Sequence, residues 1–179
     1  MTTVPGGRVV TVRSATVGDA DACATIFEPY VTDTPVTFDY QPPDATEFAR
    51  RIQTYQQRHG FMVAEMDSEV VGFAYAAPYM ARAAYDWSCF TSVYLRVGLR
   101  RTGAGSALYD ALLPQLRDAG MQVAIAGITL PNEASMGFHA SYGFEEIGVQ
   151  RRIGWKLGHW WDVWLGQLEL SEPHAPEPV

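Results

Sequence analysis

Apolar positions along the chain fall into two spacings. Short apolar or alternating runs predict strands at 9–13, 61–65, 70–76, 88–97 and 123–130, then at 144–147, 151–157 and 162–170. Asp67-Ser68 between the second and third runs reads as a hairpin turn. The run at 123–130 is apolar and β-branched, as a strand buried on both faces would be. Helical spacing appears at Cys23, Ile26, Phe27 and Tyr30, within 22–31, where Pro29 sits late and is expected to bend the end. It returns at 45–59, where Asp44 is placed to cap the start and Gly60 to stop the end. A third stripe, Leu108, Leu112 and Leu116, runs to Gly120, and a fourth helix runs from the cap Asn132 to Tyr142 and Gly143. The segment 32–43 breaks both patterns and reads as a loop. The order β, two helices, a β-meander, helix, β, helix, then β predicts a mixed α/β (α+β) domain.

The joint between the fourth strand and the third helix carries the chemistry. It reads Arg100-Arg101-Thr102-Gly103-Ala104-Gly105-Ser106. A strand, a glycine loop and a helix start suit an anion, because glycine admits close backbone approach and the first amides of a helix lack internal partners. Three phosphate-binding readings compete. A P-loop fails, since Ala104 stands where the lysine belongs. A dinucleotide fingerprint fails, since Leu108 replaces the third glycine and the strand near Ile125 carries no acid. The third reading is Arg-x-x-Gly-x-Gly. A turn that uses glycine for its conformation alone is the competing structural account.

Composition narrows the field. The 179 residues suit one domain at 9–170, after a flexible segment 1–8 and before a disordered proline-rich tail at 171–179. Apolar residues make up 47%, which excludes disorder of the whole chain. A net charge of −7 argues against nucleic acid as a general partner, yet allows a local basic site for an anionic ligand. Cys23 and Cys89 have no metal-type spacing, so no metal site is expected and a reducing cytoplasm is the expected location. No signal peptide and no membrane span are expected.

Arg-x-x-Gly-x-Gly resembles the pyrophosphate loop of the Gcn5-related (GNAT) N-acetyltransferases. Further stretches resemble one branch of them, the phosphinothricin and methionine-sulfoximine N-acetyltransferases. They are Val36-Thr37-Phe38, the run from Val70 to Pro78, Arg82-Ala-Ala-Tyr85-Asp86-Trp87, Val93-Tyr94, Leu130-Pro131-Asn132, His139 before Tyr142-Gly143, and His159-Trp160-Trp161-Asp162-Val163. The resemblance implies the GNAT fold, a mixed central sheet with splayed central strands flanked by helices. It also implies acetyl-coenzyme A as donor, a small amino-acid-like amine as acceptor, direct transfer in a ternary complex, and a homodimer. The strand Val93, Tyr94 and Leu95 should bind the pantetheine amides, and Arg100 to Ser106 the pyrophosphate. Asn132 and Ser135 should also touch the donor, and Asn132 can cap its helix at the same time.

For the acceptor the resemblance points to Phe38, Arg82 and Tyr85. An arginine fork can clamp a carboxylate and aromatics can wall the apolar part. Alternatively, Arg82 pairs with Asp86 on the surface, and Phe38 and Tyr85 are core residues. His139 takes the place where many relatives have a proton-donating tyrosine; it either handles protons or packs as a structural histidine.

One departure matters. The phosphinothricin enzymes carry a glutamate three residues after the tryptophan of Asp-Trp, and here that residue is Phe90. An ammonium must lose a proton before it attacks a thioester, and phenylalanine accepts none. Asp86, Asp162 or His139 with water could serve instead. Otherwise the acceptor differs (a protein N-terminus, an antibiotic or another amine), or the chain binds the donor and turns over weakly. An acetyl-enzyme on Cys89 is disfavoured, as nothing nearby activates the thiol.

Overall fold

The computed structural model describes residues 2–3, 9–99, 102–172 and 175. One sheet holds β1 (Thr2–Thr3), β2 (Val9–Ser14), β3 (Phe61–Met66), β4 (Glu69–Pro78), β5 (Ser88–Leu95), β6 (Val123–Thr129), β7 (Glu145–Lys156) and β8 (His159–Glu169). Their order is β1-β2-β3-β4-β5-β6-β8-β7. The pair β5–β6 is parallel, and the remaining pairs are antiparallel. Four helices cover the sheet: α1 (Ala20–Thr32), α2 (Ala45–Tyr55), α3 (Ala104–Asp118) and α4 (Glu133–Ser141). None is long and apolar enough to cross a membrane.

Strand alternation sorts the apolar residues into two cores. In β3, Phe61 and Val63 join α1 and α2, while Met62, Ala64 and Met66 join α3 on the opposite face. The first core is aromatic. Phe48 meets Phe73 at 5.5 Å and Phe27 at 5.7 Å between centroids, both edge-on. Each fully buried ring contributes roughly 2–3 kcal/mol through burial. The second core centres on Leu108, Leu112 and Leu116, the stripe legible in the sequence.

Local chemistry fixes the element ends. Asp67 and Ser68 both take positive φ, 52° and 66°, as a two-residue hairpin turn requires. Asp44 caps α2 by accepting the Glu47 amide at 2.9 Å. The start of α1 is tied down by Asp19, which accepts the Thr16 amide at 2.7 Å and both terminal nitrogens of Arg13 at 2.7 and 2.8 Å. Those bonds, Arg13's first, hold the Asp19 carboxyl below its ordinary range.

Three boundaries differ most from expectation. Helix α2 stops at Tyr55 rather than at 59, because the Tyr55 carbonyl accepts the amides of His59 at 2.7 Å and Gly60 at 2.8 Å and closes the helix in a turn. The strands expected at 144–147 and 151–157 are one strand, β7, whose pairing with β8 shifts after Glu146 and again after Gln150. Gly148 at φ 150° and Arg152 at φ 50° produce those irregularities and erase the alternation. Strand β8 begins at His159, three residues early, where Trp160 packs on Trp155 at 5.3 Å. At the N-terminus Thr2–Thr3 pairs with Val9 and Val10; the rest of 1–8 lies outside the described residues, as do 173–174 and 176–179 of the tail.

Candidate active site

A break in the sheet makes the site. Strands β5 and β6 pair only from Ser88 to Phe90 against Val123 to Ile125. Beyond that, β5 stays with β4 as far as Leu95, and β6 stays with β8 as far as Thr129. The two central strands therefore part, as the splayed sheet implied. The gap holds a small cavity of about 50 Å³ between Thr91 to Tyr94 on one side and Gly127 to Thr129 on the other. It meets a larger one of about 690 Å³, and Val36, Val93, Asn132 and Ser135 line both. An unpaired strand edge facing such a groove is built to bond an extended amide-bearing chain.

The large cavity reaches the glycine loop and is lined by Val93, Leu95, Gly98, Gly105 and Phe138. Gly103 caps α3 in the left-handed region, at φ 70° and ψ −2°. The first amide to bond back is Ala107, to the Gly103 carbonyl at 2.9 Å, so the amides of Ala104, Gly105 and Ser106 precede the helical ladder. Thr102 Oγ1 accepts the Ala104 amide at a long 3.4 Å. A Cβ built on Gly105 would only reach ordinary contact with Phe138, at 3.5 Å, so packing inside the chain does not demand glycine there. What the missing side chain leaves open is the cavity wall. Arg100 and Arg101 lie outside the described residues.

Of the strand residues expected at the donor, Val93 and Leu95 face this cavity. The Leu95 carbonyl accepts the Tyr30 hydroxyl at 2.6 Å. The Tyr94 ring turns to the other face, edge-on to Phe27 at 4.7 Å and Tyr30 at 5.2 Å. Asn132 caps α4 by accepting the Ser135 amide at 3.1 Å, and it lines the cleft as well.

His139 lies in the wall of the small cavity and is 4% exposed. Its Nδ1 is 2.8 Å from the Ser135 carbonyl, which can only accept, so Nδ1 carries the hydrogen. Nε2 then accepts the Tyr109 hydroxyl at 2.9 Å. The Tyr109 oxygen is 3.3 Å from Thr91 Oγ1, which faces the cleft. Burial pushes the histidine down from its ordinary value, although the Ser135 bond opposes this, and the ring is neutral at pH 7. Both ring nitrogens are thus engaged, with Nε2 accepting, and the Thr91 hydroxyl in turn donates to the Ile125 carbonyl at 3.3 Å. Sequence reasoning missed Tyr109. Its signal was a polar tip beside the Leu108–Leu112–Leu116 stripe.

The remaining predicted residues lie apart from the two cavities. The Phe38 ring covers Gly154 of β7, where an added Cβ would come within 2.3 Å of it. Arg82 is exposed and precedes the short turn Ala83–Tyr85. Tyr85 packs edge-on against Tyr79 at 5.7 Å. Asp86 lies 3.9 Å from Arg58, not in the pair with Arg82 that the sequence left open. Asp162 accepts the Arg152 amide at 2.7 Å. Phe90 reaches over the splay onto Gly127, where a Cβ would be 2.7 Å from its ring. Cys89 is buried and its thiol is pushed up to about 12 by desolvation, which removes the thiolate an acetyl-enzyme would need. Among the described residues no group of acids, histidines or cysteines is arranged for a metal.

Known proteins with this arrangement agree with one another. Residues 12–165 match the family model described as an acetyltransferase (GNAT) domain. The phosphinothricin N-acetyltransferase of Streptomyces viridochromogenes is 36% identical over 175 residues, covering 98% of this chain and 96% of that one. An L-methionine sulfoximine/L-methionine sulfone acetyltransferase of Pseudomonas aeruginosa is 29% identical, covering 89% and 94%. The crystal structure of a phosphinothricin acetyltransferase from Sinorhizobium meliloti, in complex with acetyl-coenzyme A, superposes with a TM-score of 0.88 at 30% identity, covering 95% and 93%. With a splayed sheet, a glycine-capped helix at the end of its cleft and a family match across most of its length, the chain belongs to the GNAT acetyltransferases and is an N-acetyltransferase.

Proposed function

We propose that the chain transfers the acetyl group of acetyl-coenzyme A to the amine of a small amino-acid-like acceptor, directly within a ternary complex. Phosphinothricin, methionine sulfoximine and similar toxic analogues are the leading acceptors, which makes detoxification the role. The single observation that carries the reading is the cleft. It runs from the strand gap at Thr91 and Gly127 to Gly105 at the start of α3, and a free strand edge followed by helix-start amides is the chemistry a pantetheine chain with a pyrophosphate end needs.

Each part has a task. The β5 edge at Val93 and Leu95 aligns the donor's amides. Ala104 to Ser106, with Arg100 and Arg101, hold the pyrophosphate. Asn132 and Ser135 line the middle. The thioester then sits in the gap, where amides left unpaired by the splay can bond its carbonyl oxygen as charge develops. His139 can give a proton to the leaving thiolate only after Nε2 has taken one up and the Tyr109 and Thr91 hydroxyls have turned toward the cleft, so in this reading the chain relays a proton rather than storing one. Phe38, Arg82 and Tyr85 belong to the acceptor side in this reading. Both cysteines are buried and unpaired, in keeping with a reducing cytoplasm. The exposed apolar edge of β7 suits a second copy of the chain.

Phe90 favours a second reading, an acceptor other than phosphinothricin, because it puts an apolar ring where the relatives' resemblance implied a carboxylate. Thiol release from acetyl-coenzyme A with a panel of amines tests both. Turnover of L-phosphinothricin or L-methionine sulfoximine is expected. Turnover confined to peptides or other amines would select the second reading, and donor binding without turnover on any amine would sink both.

A further inference from the structure

Gly127 stands inside β6, where a glycine weakens a strand and calls for a reason. Its backbone supplies none, since its φ lies outside the left-handed region that favours glycine. The reason is a ring. A Cβ on Gly127 would come within 2.7 Å of Phe90 Cζ and 3.5 Å of Phe90 Cε1, with Val163 Cγ1 also at 3.5 Å. Phe90 is the last residue of β5 that pairs with β6, opposite Ile125. Its side chain therefore leans two residues forward along β6, into the point where the strands part.

That contact closes the foot of the gap on one face. Gly127 lines the small cavity of about 50 Å³, with Thr91 to Tyr94 opposite. Phe90 stands behind Gly127, outside that lining, and its ring takes the volume into which the cavity would otherwise extend. On the other face the Thr91 hydroxyl donates to the Ile125 carbonyl at 3.3 Å, and the Tyr109 hydroxyl lies 3.3 Å from Thr91 Oγ1. Successive residues of a strand point to opposite faces, so a ring and a hydroxyl shut the same end of the gap from two sides. The space left holds a few water-sized groups, not an extended chain. No Asp, Glu, Lys or Arg is among the described residues that line it.

We propose that Phe90 and Gly127 form a size gate for the donor's acyl group, the ring against the glycine ending the small cavity so that it takes an acetyl group and turns away longer acyl chains. The proposal rests on the acetyltransferase reading above, in which the thioester sits in the strand gap. An acetyl group puts one methyl beyond its carbonyl. A butyryl group adds two methylenes, and these need the space that the ring holds. Phe90 is thus a specificity-determining residue for the donor, a task separate from the acceptor's deprotonation. The reaction is the same at every chain length. The neutral amine forms the C–N bond, the C–S bond breaks with its electrons on sulfur, and the proton lost by nitrogen ends on the thiolate.

Rates with acetyl-, propionyl- and butyryl-coenzyme A, and with L-methionine sulfoximine or L-phosphinothricin as acceptor, test the gate. In the wild-type protein kcat/KM for the donor should fall by about tenfold per added methylene. Phe90→Ala should raise the butyryl-to-acetyl ratio by about tenfold or more. Phe90→Leu, which keeps apolar packing, should move the ratio the same way by less, and it stands in for the alanine variant should that one not fold. Calorimetric titration reads the gate without an acceptor. Phe90→Ala should bring the affinity for butyryl-coenzyme A closer to that for acetyl-coenzyme A, with free coenzyme A as the reference. A wild-type protein that uses all three donors equally well would overturn the inference and leave the acetyltransferase reading intact. So would a butyryl-to-acetyl ratio in the Phe90 variants within twofold of wild type, or a change confined to the acceptor KM. If the wild-type protein turns over no amine, the acceptor reading fails, and the affinity ratios still decide the gate.

Discussion

His139 shows how a single residue is set by what surrounds it. The sequence left two roles open, a proton donor or a packed histidine. The structure places the ring in the cleft wall and engages both nitrogens, with Nδ1 donating to the Ser135 carbonyl and Nε2 accepting from Tyr109. The buried neutral ring makes stability depend on pH. Its folded pKa lies below the ordinary 6.5, so below that pH the unfolded chain binds a proton that the folded chain refuses. Stability from this group is complete above pH 6.5 and is lost as pH falls through the folded value. His59 is shifted the same way by burial, with Arg58 adding to it, and contributes in the same window. Urea unfolding from pH 7.5 to 5.5 should show wild-type stability falling, by at most about 1.4 kcal/mol per pH unit for each such histidine. His139→Gln should flatten the slope, leaving the His59 part. An unchanged slope would remove His139 as its source.

At the scale of elements, legibility followed the regularity of the local pattern. The Leu108–Leu112–Leu116 stripe, the Asp44 cap and the Asp67-Ser68 turn each have one physical solution, and each element formed where expected. Helix α2 ended early because a single carbonyl, Tyr55, closed it, and no side-chain pattern encodes that. Strand β7 looked like two strands because its irregularities flip the alternation that reveals a strand. The glycine loop was legible because a short segment carries it. The cleft was not, because Val36, Thr91, Gly127 and His139 come from a loop, β5, β6 and α4 and meet only through register and packing. Gly103 joins the two levels. Its φ of 70° is one that only glycine adopts freely, and it starts the helix whose Gly105 lines the cavity. Gly103→Val should cost about 1–2 kcal/mol of stability and weaken acetyl-coenzyme A by well over tenfold in calorimetric titration. Donor affinity equal to wild type in a folded variant would refute the loop as the pyrophosphate site.

At the scale of the whole molecule, α3 and its core cover one face of a broken sheet, α1 and α2 cover the other, and β5 and β6 part between them. The same topology leaves β7 at the sheet's edge. Ile147, Val149, Ile153, Trp155 and Leu157 are each 39% to 54% exposed there, and Trp160 of β8 is 58% exposed beside them. An edge strand with that much apolar surface invites a partner, because unpaired backbone and uncovered carbon both gain from contact. The Tyr40 hydroxyl bonds the Trp155 carbonyl, so the 32–43 loop is fastened to this very strand. A partner copy covering Trp155 and Trp160 would therefore stiffen the loop that carries Phe38. Sedimentation of the wild-type chain should give a dimer, and Trp160→Glu with Ile153→Lys should shift it to a monomer whose acceptor KM rises while acetyl-coenzyme A affinity holds. A wild-type monomer at micromolar concentration, or a dimer unmoved by the two charges, would remove this edge from the assembly.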